Sequence, residues 1–63
     1  MDFKAFLLDV EGRFVGATTI HAEAHPEALD TARKLLTGSK TVAKIEIWRG
    51  DELIGKVARE PAR

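Results

Sequence analysis

Only one stretch of this chain carries helical spacing, and it lies between two stretches that alternate as strands. Ala28, Leu29, Ala32, Leu35 and Leu36 recur at three- and four-residue intervals and form one apolar stripe. Pro26 suits the first helical position, where its missing N–H costs nothing, and Gly38 suits the position just past the end. Glu27 and Asp30 in the early turns, with Arg33 and Lys34 later, match the helix dipole. Asp30 and Lys34 add an i,i+4 pair worth about 0.3 kcal/mol. One helix can cover one face of a sheet and no more.

Residues 3–9 are rich in Phe and Leu and stop at Asp9-Val10-Glu11-Gly12-Arg13. Asp suits the first position of a type I turn, and Gly at the fourth can take the left-handed conformation of a bulge. Asp9 then pairs with Arg13, and the second strand runs over 13–20. That register predicts Phe6, Leu8, Phe14, Thr18 and Ile20 on one face and Phe3, Ala5, Leu7, Val15 and Ala17 on the other. Both faces of the hairpin are apolar, and either could lie on the helix. After the helix, Ala43, Ile45 and Ile47 alternate with Lys44 and Glu46. Arg49-Gly50-Asp51-Glu52 supplies a turn, and Leu53, Gly55 and Val57 continue the apolar face. Trp48 and Ile54 are expected on the opposite face, among Lys44, Glu46 and Lys56.

These elements predict an α+β domain over 1–59 in the order ββαββ, one helix on a four-stranded, mostly antiparallel sheet, with 60–63 a flexible tail. The simplest right-handed crossover sets the first and fourth strands side by side and parallel, in the order 2-1-4-3. This layout resembles the β-grasp. The ubiquitin-like use of that fold needs a C-terminal Gly-Gly, and a sequence ending Arg59-Glu60-Pro61-Ala62-Arg63 gives no expectation of conjugation. Leu8-Asp9-Val10-Glu11-Gly12-Arg13, the Glu-Ala helix from Pro26 to Arg33, and Ile45-Glu46-Ile47-Trp48-Arg49-Gly50 together resemble short bacterial proteins of unassigned function. The resemblance spans nearly the whole chain, implies the ββαββ fold and carries no activity.

Composition narrows the function classes. Ten Lys+Arg balance ten Asp+Glu within 63 residues, which removes the electrostatic drive toward nucleic acid or anionic membranes. No cysteine means no disulfide, thiolate metal site or cysteine nucleophile. The apolar start is cut off by Asp9 and lacks a basic flank, so neither a signal peptide nor a membrane span is expected, and the cytoplasm is the default location.

Candidate chemistry is sparse. His21-Ala22-Glu23-Ala24-His25 has metal-ligand residue types, but the helix starts only after His25, so i,i+4 geometry does not hold and no metal is expected. Arg49-Gly50-Asp51 matches a tripeptide read by adhesion receptors, yet the same residues suit a tight turn. Ser39, the only serine, has no base assigned to it, and the glycines form no phosphate cradle. No catalytic residue, cofactor or small-molecule ligand is expected.

The apolar surplus remains. With one helix, a patch on the order of several hundred Å² should stay open, the size that marks interfaces. The sequence therefore reads as a non-catalytic protein-interaction module, a homodimer or the binder of another protein, with contact residues Phe6, Leu8, Phe14, Trp48 and Ile54. An edge strand, the second or third in the 2-1-4-3 order, offers another route to the same dimer. The alternative is weak single-stranded nucleic-acid binding around Trp48, flanked by Lys44, Arg49 and Lys56.

Overall fold

Asp9 organises the first turn. In the computed structural model, which describes residues 1–59, its Oδ1 accepts the N–H groups of Glu11 and Arg13, each at 2.9 Å. The Asp9 N–H donates to the Arg13 carbonyl at 3.0 Å, and the Gly12 N–H donates to the Asp9 carbonyl at 2.9 Å. Gly12 has φ 80°, the left-handed conformation in which a Cβ would be strained. The turn thus closes as its residue types predict, joining β1 (Asp2–Leu8) to β2 (Phe14–His21). The expected tail, 60–63, lies outside the described residues.

Beyond the turn the hairpin departs from simple alternation. Leu8 pairs with Phe14 but Leu7 pairs with Gly16, so Val15 is an extra residue in β2. One inserted residue reverses the facing of everything after it. Phe14 shares a face with Leu8 and Phe6, as the turn predicts. Thr18 and Ile20, expected with them, instead lie opposite Ala5 and Phe3 on the helix side. Ala17, expected beside Phe3, lies opposite Phe6.

The helix, α1 (His25–Thr37), buries Ala28, Ala32 and Leu36 against the sheet. Its N-cap, Ala24, has no side-chain acceptor; the Glu27 carboxylate reaches back to the Glu23 N–H at 2.9 Å. Gly38 caps the other end with φ −82°, its N–H bonded to the Lys34 carbonyl at 3.1 Å.

The remaining strands, β3 (Lys44–Arg49) and β4 (Glu52–Ala58), pair around a turn with Gly50 at φ 65°. The sheet order is β2-β1-β3-β4 and every pair is antiparallel. The β-grasp-like order 2-1-4-3, with β1 beside a parallel β4, is therefore not adopted. β3 lies beside β1, with Lys4 opposite Trp48 and Leu8 opposite Lys44. The crossover from β2 to β3 then skips one strand, a span of about 10 Å, where the β-grasp order would require about 14 Å. The handedness rule governs how such a crossover winds, not how many strands it passes over. Burial sorts the two: Ile45 and Ile47 of β3 are fully buried, whereas β4 carries Glu52, Lys56 and an exposed Leu53 at the sheet edge. The edges are β2 and β4, not β2 and β3.

Among the described residues eleven buried apolar side chains form the core, and four of them are alanines: Ala5, Ala22, Ala28 and Ala32. Small side chains let the helix lie close to the sheet. At Gly55 a Cβ would come within 2.9 Å of Leu29 Cδ2. A second register shift, between Ile47 and Trp48, leaves Leu53 opposite Trp48, and Ile54 packs against the core. The expectation that Ile54 shares the Trp48 face is thus overturned.

Arg59 ties the ends of the fold together. Its guanidinium donates to the carbonyls of Leu36 at 2.8 Å, Val42 at 3.0 Å and Ser39. The first of these lies at the negative end of the helix dipole, where a cation is favourable. Ser39 Oγ accepts the N–H groups of Thr41 and Val42, at 3.3 and 3.1 Å, and so shapes the same loop.

Two stability predictions follow from these contacts. Asp9→Ala removes two accepted hydrogen bonds and should cost about 1–2 kcal/mol, read as a melting temperature lower by roughly 4–8 °C per kcal/mol. Arg59→Met keeps the aliphatic stem but frees the carbonyls. It should cost about 1–2 kcal/mol in urea unfolding, and Arg59→Lys should recover only part of that because an ammonium lacks the fork.

Candidate interaction surface

Strand pairing defines the face opposite the helix row by row. Thr19, Lys4, Trp48 and Leu53 lie across one row; Ala17, Phe6, Glu46 and Lys56 across the next; Phe14, Leu8, Lys44 and Ala58 across the third. Phe6 stands at the centre. Its ring lies 6.2 Å from Phe14, tilted at 55°, and 6.4 Å from Trp48, edge-on at 75°. Such pairs are worth about 0.5–1.5 kcal/mol each beyond the area they bury. Three of the chain's four aromatic residues are therefore together on the uncovered face, and only Phe3 is in the core.

The cluster is far from buried. Phe14 is 64% exposed and Leu53 is 40% exposed, while Phe6, Leu8 and Trp48 are half-buried. Of the residues expected to make contact, Phe6, Leu8, Phe14 and Trp48 are brought together on this face. Ile54 is not, and Leu53 takes its place. The consecutive pair Leu53-Ile54 interrupts the alternation of β4 and was the one available sign of the bulge that exchanges them.

Charge on this face is mixed. Lys4, Lys44 and Lys56 surround Glu46, whose carboxylate accepts the Trp48 indole N–H at 3.3 Å. A carboxylate held against the only indole opposes a phosphate backbone approaching to stack a base on it.

The other candidates do not converge. His21 Nδ1 lies 2.6 Å from Asp2 Oδ1, across the β1–β2 pair and at the far end of the open face. His25 instead meets Phe3 edge-on at 5.6 Å, on the helix side. The two imidazoles are thus on opposite faces of the sheet, and no group of three or more metal-ligating side chains forms among the described residues. Arg49, Gly50 and Asp51 form the β3–β4 turn, with Arg49 opposite Glu52. An open cleft of about 500 Å³ between α1 and β4 is lined by Arg33, Leu36, Thr37, Lys56, Val57, Ala58 and Arg59. Arg59 is already committed to three carbonyls there, and the Thr37 hydroxyl donates to the Arg33 carbonyl at 3.0 Å. No helix of the described residues is long and apolar enough to cross a membrane.

No protein-family model matches the chain, and no curated protein and no solved structure shows significant similarity to it.

Proposed function

We propose that this chain is a non-catalytic cytoplasmic interaction module that self-associates through its open sheet face. The observation that carries the reading is the placing of Phe6, Phe14 and Trp48 on the face without a helix, while four of eleven core residues are alanine. A chain that needed these rings only for its own stability would bury them under the helix, where apolar area stabilises most.

A second copy is the partner the surface fits. The molecule measures 34 × 20 × 15 Å, so its broad face spans roughly 700 Å², close to the ~800 Å² each partner contributes to a standard interface. Two sheets packed face to face would interdigitate the aromatic clusters as in a sandwich. Lysines and Glu46 on one face can answer each other across a twofold axis, and a net charge of zero leaves no long-range repulsion between copies.

Trp48 is the only tryptophan and lies inside the proposed contact, so its emission reports the interface directly. Its maximum should shift to the blue as concentration rises from micromolar to hundreds of micromolar. Phe14→Glu, which forfeits the contact with Phe6 but leaves the buried core untouched, should abolish the shift. Emission independent of concentration would refute self-association through this face. A shift produced instead by adding single-stranded oligonucleotide, and lost with salt, would favour nucleic-acid binding.

A further inference from the structure

β2 is an edge strand of eight residues, six of them exposed, and its free side has no covering element among the described residues. Its hydrogen-bonding parity is set at one end. Met1 N donates to the Ala22 carbonyl and Ala22 N to the Met1 carbonyl, both at 2.9 Å. Antiparallel ladders alternate, so Ile20, Thr18 and Gly16 direct their N–H and C=O groups inward to β1. Ala17, Thr19 and His21 direct theirs outward. These outward groups are a ready template for another strand.

Both edges carry a bulge, but the opposite edge also carries charge and this one, from Phe14 to Ile20, does not. β4 carries Glu52 and Lys56 and a bulge at Ile54, features that discourage pairing. From Phe14 to Ile20, β2 has no charged residue and no proline, and beyond the Val15 bulge it runs without a register shift from Gly16 to His21.

We propose that β2 pairs antiparallel with β2 of a second copy about a twofold axis at Thr18, joining two sheets into one of eight strands. In this register Ala17 lies opposite Thr19 of the second copy and Thr19 opposite its Ala17, so the outward groups at the centre of the regular stretch Gly16–His21 are paired. Thr18 faces its own copy, a favourable cross-strand pair. Gly16 and Ala17 keep the seam narrow; a Cβ at Gly16 would meet nothing within 4 Å. A charged peptide would find no complementary charge along β2, whereas an uncharged copy of the same strand needs none. The pairing is independent of the open-face contact, since it uses backbone groups in the plane of the sheet.

Amide hydrogen exchange on the full chain tests it residue by residue. Ala17 and Thr19 amides should exchange at least about tenfold more slowly at hundreds of micromolar than at a few micromolar. Thr18→Lys sets two ammonium groups against each other at the axis and should remove that protection. Thr19→Pro deletes an outward N–H without touching the β1 ladder and should do the same. An intermolecular nuclear Overhauser effect between Ala17 and Thr19 in a mixed-label sample fixes the register. Equal exchange at both concentrations, protection that survives both variants, or protection appearing only when another protein is added would each overturn the proposal. Trp48 sits on β3, away from this seam, so edge protection without a Trp48 shift means failure of the open-face reading alone. The reverse pattern means failure of the edge.

Discussion

One helix lies against four strands, and that imbalance governs the rest of the molecule. A sheet has two faces, and a 13-residue helix about 20 Å long shields only one of them. In many small domains the second face is polar and alternation is clean. Here Phe3, Ala5 and Leu7 face the helix while Phe6 and Leu8 face away, so β1 is apolar on both sides. A strand of that kind belongs in the interior of the sheet, and β1 lies there, between β2 and β3. The open face is consequently a property of the topology.

Much of this was legible in the residues themselves. Asp9 and Gly12 mark the first turn, and Pro26 and Gly38 bracket a helix that runs from His25 to Thr37. The alternation of Ile45 and Ile47 with Lys44 and Glu46 places the apolar side of β3 correctly. Side-chain facing failed at two points, both bulges. Val15 and Ile54 each insert a residue into an edge strand, and strict alternation misplaces side chains wherever such an insertion is not counted. Phe14 escaped the error because it precedes the bulge; Thr18 and Ile20 did not. Ile54 moved to the core and Leu53 to the open face for the same reason. Arg59 was invisible to pattern reading, since its role depends on three carbonyls gathered from 36–42 by the fold.

Strand order was the other limit. Local turns specify the two hairpins, but the way they dock is decided by which strand can be buried from both sides. β3 presents fully buried isoleucines and takes the central position, while β4, with Glu52 and Lys56, tolerates the edge. The distinction lies in relative burial between two strands of similar composition, a quantity that emerges only when both compete for one place.

The alanine-rich core connects this arrangement to association. Ala28 and Ala32 bring the helix close to the sheet at the cost of buried volume, and small domains have little stability in reserve. Apolar area left on the outer face then contributes nothing to the monomer beyond the mutual contacts of Phe6, Phe14 and Trp48. It contributes fully once covered, and whatever binds only the folded chain stabilises it by mass action. A chain built this way sets its strand order with a thin interior and keeps further apolar area outside it, which the proposed self-association would bring into use.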